Sequence, residues 1–427
     1  MSKDRNFRAK GFVVWCVCSL FYLYEFFIRT VMGTYQHPLM HDLDLTTFQF
    51  SMLSTSLFLV IYGGMQVPAG LIIDKLGLKK SLMLGSAVCG LSTVGFAYTY
   101  NYPMAVTCRM LMGFGASFGF LCLLVSVNDW MPHKYNAIFI GLSQLIGTMG
   151  PMFAAGPLDA LSERSGVDWH SVFIILGIIG GLLAVLVLLF VENSHENAGQ
   201  YRILRKPEPV LASIKRLFVR IQPWYIALAT ATLYFTIEYL SENEGRAYLK
   251  LKGLSSSAAS YMITISWLGY ALGCPLLGML SDFLQRRKII MVAAAIMGIV
   301  SIALITTAFN QYALFVAFFL LGVSASGQSI GFAIVGEQFK PEFVAAGFGL
   351  NNAILTVFVA LNAPLIGLLL ESTHTIDTWR LEDYTPMFAV IFAVLIVAFL
   401  VTTFLVKETF CKSLVAFTYL APRSRKK

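Results

Sequence analysis

Charged residues are scarce in this chain: they make up 13% of its 427 residues, whereas hydrophobic residues make up 57%. The surface of a soluble globular protein needs roughly a quarter of charged residues, so this composition excludes an ordinary soluble fold. Long polar stretches are also missing, apart from one connector at residues 192–222. With a mean hydropathy of +0.72, the chain is predicted to be a polytopic membrane protein.

Motifs for metal binding and for catalysis are absent from the sequence. No pair of cysteines or histidines has the spacing of a metal site, and neither a P-loop nor a metalloprotease motif occurs. We therefore expect no metal, no cofactor and no enzymatic activity. The formal net charge of +8 does not indicate nucleic acid binding, because the basic residues are spread over short connectors.

Twelve apolar segments are each long enough to cross a bilayer, which takes about 20 residues of helix. Their predicted bounds are 11–35, 48–73, 80–99, 103–127, 136–160, 169–191, 223–246, 256–281, 288–308, 311–336, 343–370 and 384–406. The predicted fold is an all-α membrane protein made of two six-helix bundles. The domains are expected at 1–191 for the N-terminal bundle, 192–222 for a cytoplasmic connector, 223–406 for the C-terminal bundle and 407–427 for a cytoplasmic tail.

The distribution of lysine and arginine predicts the orientation in the membrane. If the N-terminus is cytoplasmic, 24 of the 31 basic residues lie on the cytoplasmic side, as the positive-inside tendency requires. We therefore expect both termini in the cytoplasm and the protein in the plasma (inner) membrane. A monomer surrounded by lipid is the expected state.

The chain repeats itself at an offset of 208 residues. The turn from Gly70 to Lys80 returns as the turn from Gly278 to Lys288. The repetition predicts that the two bundles have the same topology. Duplicated bundles of this kind bind solute near the middle of the membrane.

The repeated turn resembles the signature turn of the major facilitator superfamily. The matching residues are Gly70, Asp74, Lys75, Gly77 and Lys79 in the first copy, with Leu78 where the family usually has arginine, and Asp282 and Arg286 in the second copy. Arg109, followed by two glycines, resembles the fourth-helix motif of the family, whose arginine is associated with proton coupling. The resemblance implies a transporter fold in which the turn residues form a conformational latch.

Charged residues inside the spans are the candidates for chemistry, because each is costly in hydrocarbon unless it faces a partner or a wet cavity. Glu25 and Arg29 lie four residues apart on one face of the first span, which predicts that they pair. Alignment of the halves places Glu238 and Glu242 at the equivalent positions of the seventh span. The three glutamates are the candidates for proton coupling, since a low-dielectric site favours a neutral carboxyl group.

Arg29 and Arg109 give the predicted site positive charge, and nearby polar side chains complete it. The other candidates for substrate binding are Tyr24, Gln144, Tyr239, Gln328 and Asn352. A structural role is the alternative for several of these residues. Glu25 with Arg29 would then be a structural ion pair, and Arg109 would tie helices together through backbone carbonyls.

Fixed positive charge beside carboxylates suits an anionic or zwitterionic solute, such as an amino acid, a short peptide or a carboxylate. The sequence therefore predicts a secondary active transporter that takes up such a solute together with protons by alternating access. Two alternatives stay open: a proton-driven antiporter that exports drugs or metabolites, and a membrane receptor or scaffold that transports nothing. The two buried arginines favour uptake of a polar solute over drug efflux.

Overall fold

The computed structural model describes residues 2–131, 136–193, 220–338, 341–371 and 379–411. Lys134, Lys340, most of the predicted connector and the tail beyond residue 411 lie outside these ranges. The side chain of Asp74 is also outside the described part of the chain, so its role in a latch stays a prediction.

Helices account for nearly all of the described residues. Those that precede the connector are α1 (Ser2–Thr34), α2 (Gln36–Asp42), α3 (Thr47–Ser51), a π-helix (Met52–Ser56), α4 (Leu57–Gly64), α5 (Gln66–Ala97), α6 (Tyr102–Trp130), α7 (Asn136–Ala154), α8 (Gly156–Ser165) and α9 (Trp169–Phe190). Those that follow it are α10 (Ile221–Glu242), α11 (Gly245–Leu251), α12 (Ser256–Leu284), α13 (Arg287–Thr307), α14 (Gln311–Ala325), α15 (Gln328–Gln338), α16 (Pro341–Glu371), a 3-10 helix (Leu381–Tyr384), α17 (Thr385–Leu400) and a second π-helix (Val401–Leu405).

These helices confirm the predicted all-α fold class. Each predicted span overlaps a helix or a run of adjoining helices. In the described ranges, nine helices are long and apolar enough to cross a membrane, and a bent pair, Gln36–Asp42 with Thr47–Gly64, raises the number to ten. The tenth predicted span is divided, because α14 ends at Ala325 and α15 begins at Gln328.

Polar residues at the ends of the apolar runs determine where several helices begin. The side chain of Asn101 accepts a hydrogen bond from the backbone N–H of Met104 at 3.0 Å and caps α6. Asp168 caps α9 in the same way, through the N–H of Ser171 at 3.1 Å. Such caps satisfy backbone donors that the first turn of a helix leaves unpaired.

The signature turn of the first half is a break at a single residue. Helix α5 runs through the predicted turn and departs from helical geometry at Gly77, which has φ 80° and ψ 169°. A side chain at this position would be strained by the positive φ, and its Cβ would lie 2.7 Å from Oδ1 of Asn193. The same oxygen accepts a hydrogen bond from the N–H of Lys79 at 3.0 Å. Leu78 is buried, which accounts for an apolar residue where the family usually has arginine.

The chain forms two compact units that do not coincide with the predicted halves. One unit comprises residues 1–206, 238–268 and 359–387, and the other comprises residues 207–237, 269–358 and 388–427. The first unit therefore contains segments from both sides of the connector. The predicted domain boundaries stay a prediction.

Candidate functional site

A buried arginine on α1 is the centre of the candidate site in the first unit. Arg29 is 5% exposed. Its Nε donates to Oε1 of Glu242 at 3.0 Å, and its Nη2 pairs with Oε1 of Glu238. The two glutamates lie one helical turn apart near the end of α10, so their side chains share a face of that helix. One guanidinium thus joins α1 to two carboxyl groups of α10.

A π-helix adds polar groups to this pairing. Oγ1 of Thr55 donates to Oε2 of Glu242 at 2.9 Å, and Nδ2 of Asn243 donates to Oγ1 of Thr55 at 3.0 Å. Short π-helices occur frequently at functional sites. Sequence reasoning missed Thr55 and Asn243, although a polar run inside an apolar span was an available signal. We call Arg29, Thr55, Glu238, Glu242 and Asn243 the Arg29 cluster.

The Arg29 cluster contains one cation and two carboxyl groups, all buried. Arg109 lies close enough to Glu242 to add a second positive charge to its surroundings. Buried ion pairs offset their desolvation only when further hydrogen bonds satisfy the remaining atoms. Oε2 of Glu238 has no hydrogen-bond partner in the described ranges. The cluster therefore offers one acceptor atom to a proton or to a donor group of a solute.

Arg109 on α6 hydrogen-bonds to backbone carbonyls of neighbouring helices, and its predicted role as a substrate ligand stays a prediction. The residue is 0% exposed. Its Nε donates to the carbonyl of Leu53 at 2.9 Å, its Nη1 to the carbonyl of Ile28 at 3.0 Å, and its Nη2 to the carbonyl of Ser54 at 2.6 Å. The guanidinium also lies over the ring of Phe58, 4.9 Å from its centroid. These contacts with backbone carbonyls are the ones that the structural alternative for Arg109 predicts.

Glu25 is buried away from hydrogen-bond donors. Neither of its carboxyl oxygens has a hydrogen-bond partner among the residues that the structure describes. The prediction that Glu25 pairs directly with Arg29 is therefore wrong, although the arginine is close enough to act on it through space. Gly119 on α6 allows this position, because a Cβ there would lie 2.5 Å from Oε2 of Glu25. The helical spacing of the two residues was correct, but Arg29 extends toward α10.

A second ion pair lies beyond the Arg29 cluster in the same unit. Arg246 on α11 pairs through Nη2 with Oδ1 of Asp159 on α8. Ser260 on α12 donates to Oδ2 of the same carboxylate at 2.9 Å. Sequence reasoning missed Asp159, because residues distant in sequence supply the two partners of this ion pair.

A fourth glutamate is buried at the junction of α10 and α11. Glu244 is 0% exposed and accepts a hydrogen bond from Nε2 of Gln36 at 2.7 Å. The hydroxyl of Tyr384 donates to its other oxygen at 3.4 Å. Its hydrogen-bond donors are thus neutral side chains of α2 and of the 3-10 helix. Sequence reasoning missed this group, which lies close to the end of the predicted span 223–246.

The predicted tyrosine ligands are packed inside the first unit. Tyr24 is 3% exposed, and its hydroxyl points to Oγ1 of Thr93 at 3.5 Å. Tyr239 is fully buried on α10. Gln144 on α7 accepts a hydrogen bond from the hydroxyl of Tyr22 at 3.0 Å. The role of these three predicted residues in solute binding stays a prediction.

The second unit contains the two remaining polar candidates. Gln328 is the first residue of α15, and its Nε2 donates to the hydroxyl of Tyr270 on α12. Asn352 is only half-buried, whereas its neighbour Asn351 is buried and accepts a hydrogen bond from Thr230 at 3.0 Å. The buried amide of α16 is thus one residue away from the predicted one.

The second copy of the signature turn forms a network of charges in the second unit. Arg287 pairs with Asp282 at 2.6 Å and with Glu337 at 2.8 Å. Glu408 accepts hydrogen bonds from the backbone N–H groups of Arg287 and Lys288 and so caps α13. The predicted latch residue Arg286 instead lies over the ring of Phe410. The arginine of this network is Arg287, and the role of Arg286 in a latch stays a prediction.

Two other predicted latch residues belong to α5 in the first unit. A Cβ at Gly70 would meet no atom within 4 Å among the residues that the structure describes, so space alone does not require glycine there. Lys75 is exposed. The role of both residues in a latch stays a prediction.

The sequence matches a known protein family over most of its length. The family profile described as Major Facilitator Superfamily matches residues 15–243 and 246–413. The chain belongs to the Major Facilitator Superfamily. It is accordingly a multi-pass membrane protein from a family of transporters.

Two curated relatives and one solved structure are distantly similar to the chain. The chain is 24% identical over 341 residues to the inner membrane metabolite transport protein YhjE of Escherichia coli (strain K12), covering 70% of this chain and 73% of that protein. It is 25% identical over 298 residues to a probable L-galactonate transporter of the same organism, covering 66% and 64%. A crystal structure of a D-xylose-proton symporter shares the fold with a TM-score of 0.75 at 15% identity, covering 94% of this chain and 99% of that one.

Proposed function

We propose that the protein is a secondary active transporter that takes up a small organic anion or zwitterion together with protons, by alternating access in the plasma (inner) membrane. The observation that carries this proposal is the Arg29 cluster, in which a buried guanidinium is held by two carboxyl groups. A carboxylate of the solute has the same charge and shape as the side chains that now hold Arg29. It can therefore replace one of them, and no buried charge is left unpaired once the displaced carboxylate takes up a proton.

Arg29 suits this exchange, whereas Arg109 does not. The ion pairs of Arg29 are made with side chains, which can rotate away or take up a proton. The hydrogen bonds of Arg109 are made with backbone carbonyls of α1 and of the π-helix. Guanidinium groups bind carboxylates through two parallel hydrogen bonds, which gives orientation as well as affinity. Arg29 is thus the proposed anion-binding residue, and Arg109 is proposed to hold it in place by fixing α1.

Glu25 is the proposed proton carrier. Its carboxyl group is buried without hydrogen-bond donors in the described ranges, and an ionised carboxylate in such surroundings is far more costly than a neutral carboxyl. The neutral form therefore suits this conformation, and ionisation requires an opening to water. Glu238 and Glu242 are two further proposed proton-accepting groups, because a solute that takes over Arg29 leaves their charge unbalanced.

The names of related proteins support this class of solute. The relative from Escherichia coli is named as a probable transporter of L-galactonate, which is an organic anion. The structural neighbour named as a D-xylose-proton symporter shares the fold and supports coupling to protons. The orientation with both termini in the cytoplasm and the latch formed by the two signature turns belong to this proposal.

Proton-driven efflux of a cationic drug is the second candidate function. The observation that favours it is the surplus of buried carboxyl groups, since Glu25, Glu238, Glu242 and Glu244 lie in the same unit as Arg29 and Arg109. A cation would bind to these carboxylates, whereas an anion would bind to Arg29. The two functions therefore differ in the charge of the transported solute.

Transport by purified protein in proteoliposomes tests the proposal. Radiolabelled amino acids, dipeptides and organic carboxylates are offered with an imposed inward proton gradient, for the wild type and for Glu25→Gln. We expect the wild type to accumulate an anion or zwitterion against its gradient, and we expect Glu25→Gln to lose this accumulation. Glu163→Gln is the matched control, because Glu163 is exposed on α8. Accumulation that ignores the proton gradient would remove the symport mechanism.

A further inference from the structure

The break in the tenth predicted span contains a buried amide that is only partly satisfied. α14 ends at Ala325, α15 begins at Gln328, and the two residues between them interrupt the helix. The side chain of Gln328 is held at this break, with the residue 9% exposed. In membrane transporters, interrupted helices line solute sites, because their irregular backbone is tolerated only where it borders a cavity.

The two ends of the Gln328 amide have different surroundings. One end is hydrogen-bonded to the hydroxyl of Tyr270. The other end, Oε1, has no hydrogen-bond partner in the described ranges. A tyrosine hydroxyl both donates and accepts, so the amide can be turned either way and one of its ends is still left without a partner. Buried polar groups in native proteins are almost always hydrogen-bonded, so the free end of this amide is available to a bound water or to a ligand group.

The surroundings of this amide indicate what kind of group it binds. The ring of Tyr234 lies 5.7 Å from that of Tyr270, centroid to centroid, and forms an aromatic wall. Cys274 lies within hydrogen-bonding reach of Tyr270 and of Ser329. These side chains are polar or aromatic, and none of them is charged. An ammonium group would find no carboxylate among them, and a carboxylate would find no cation.

We propose that Gln328 and Tyr270 form a binding site for a hydroxyl group of the transported solute, which makes that solute a hydroxylated organic acid. A hydroxyl donates to a carbonyl oxygen and accepts from an amide, so it satisfies the free end of Gln328 in either orientation. The aromatic rings pack against the carbon skeleton of such a solute. This inference rests on the proposed function, because it takes the bound molecule to be the transported one.

Competition between matched anions in proteoliposomes tests the inference. The probes are L-galactonate, D-gluconate and L-tartrate, which carry hydroxyl groups, and succinate and sulfoacetate, which do not. The variants are Gln328→Met, which keeps the volume but loses the amide, and Tyr270→Phe. Gln311→Met is the matched control, because Gln311 is exposed at the start of α14 in the same span.

We expect both variants to bind the hydroxylated anions about 5- to 100-fold more weakly, the range for loss of a buried hydrogen bond. Their affinity for the unhydroxylated anions should change by less than about 2-fold. An equal loss for both groups of anions, or no loss for either, would overturn the inference. A wild type that transports succinate and rejects every hydroxylated anion would also overturn it and leave the proposed function standing. A wild type that transports no anion or zwitterion of any kind would instead reject the proposed function.

Discussion

Removal of Arg29 should strongly destabilise the first unit. In Arg29→Met, the carboxyl groups of Glu238 and Glu242 stay buried without their cation, and both residues are 0% exposed. Loss of one partner from a buried ion pair costs about 3–5 kcal/mol, because the remaining charge is left without compensation. The cation–π contact of Arg29 with Phe26, at 5.0 Å to the ring centroid, contributes about 1 kcal/mol to this loss.

The free energy of unfolding can be measured by titrating the purified protein with denaturing detergent in mixed micelles. We expect Arg29→Met to lower it by about 3–5 kcal/mol. The combined variant with Glu238→Gln and Glu242→Gln should recover at least about half of this loss, since no buried charge remains unpaired. This recovery separates the effect of the unpaired charges from a general loss of packing.

Arg164→Met is the control for this measurement, because Arg164 is exposed on α8. Substitution of an exposed residue usually changes the unfolding free energy by less than about 0.5 kcal/mol. If Arg29→Met behaves like the control, the guanidinium does not hold the two carboxyl groups. If the combined variant is less stable than Arg29→Met alone, the cost does not come from unpaired charge.

Three further substitutions test other parts of the structure. Arg109→Lys should lower the unfolding free energy by about 2–4 kcal/mol, because an ammonium group cannot reach the same set of backbone carbonyls. An equal loss of unfolding free energy in Arg109→Met would agree with this reasoning, and an unchanged unfolding free energy in Arg109→Lys would contradict it. Gly77→Ala should cost about 1–2 kcal/mol, because Gly77 has a positive φ, and a neutral result would show that the turn is not strained. Asp168→Ala should cost about 1 kcal/mol by loss of the cap of α9. Hydrogen bonds from the side chain and backbone of Ser171 lower the pKa of Asp168. The stabilisation by this cap is therefore present at neutral pH and is lost as the pH falls through the lowered pKa. A stability difference between Asp168→Ala and the wild type that is the same at all pH values would contradict this pH dependence.

The positions of the helices followed closely from the sequence because hydrophobic length is a local property. Helix α9 (Trp169–Phe190) nearly coincides with the predicted span 169–191, and its Asp168 cap lies immediately before it. The interruptions were harder to predict. The π-helix at Met52–Ser56 and the break before Gln328 lie inside apolar runs that the predicted spans treat as continuous helices.

The charged residues of the site were also visible in the sequence, whereas their partners were not. Alignment of the halves singled out Glu238 and Glu242 together with Arg29. Helical spacing favoured Glu25 as the partner of Arg29, because residues at i and i+4 are neighbours on a helix. The actual partners are more than 200 residues away in the chain, and only the packing of α1 against α10 shows that they are near.

Asp159 and Glu244 were missed for a related physical reason. A charge near the end of a span appears solvated when the sequence is considered one helix at a time. In the structure both residues are buried, because polar side chains from distant segments, Arg246 for Asp159 and Gln36 for Glu244, cover them. Burial at a span end is a property of the packed unit and leaves no local signal.

The central claim is that Arg29 is the charge that binds the solute. The most direct test is the affinity of the purified full-length protein for the anion that the wild type transports, measured by isothermal titration calorimetry for the wild type, Arg29→Lys and the control Arg164→Lys. The account predicts binding at least about 10-fold weaker in Arg29→Lys, since lysine cannot make the paired hydrogen bonds of a guanidinium, and unchanged binding in the control. Equal affinity in the wild type and a folded Arg29→Lys would contradict it.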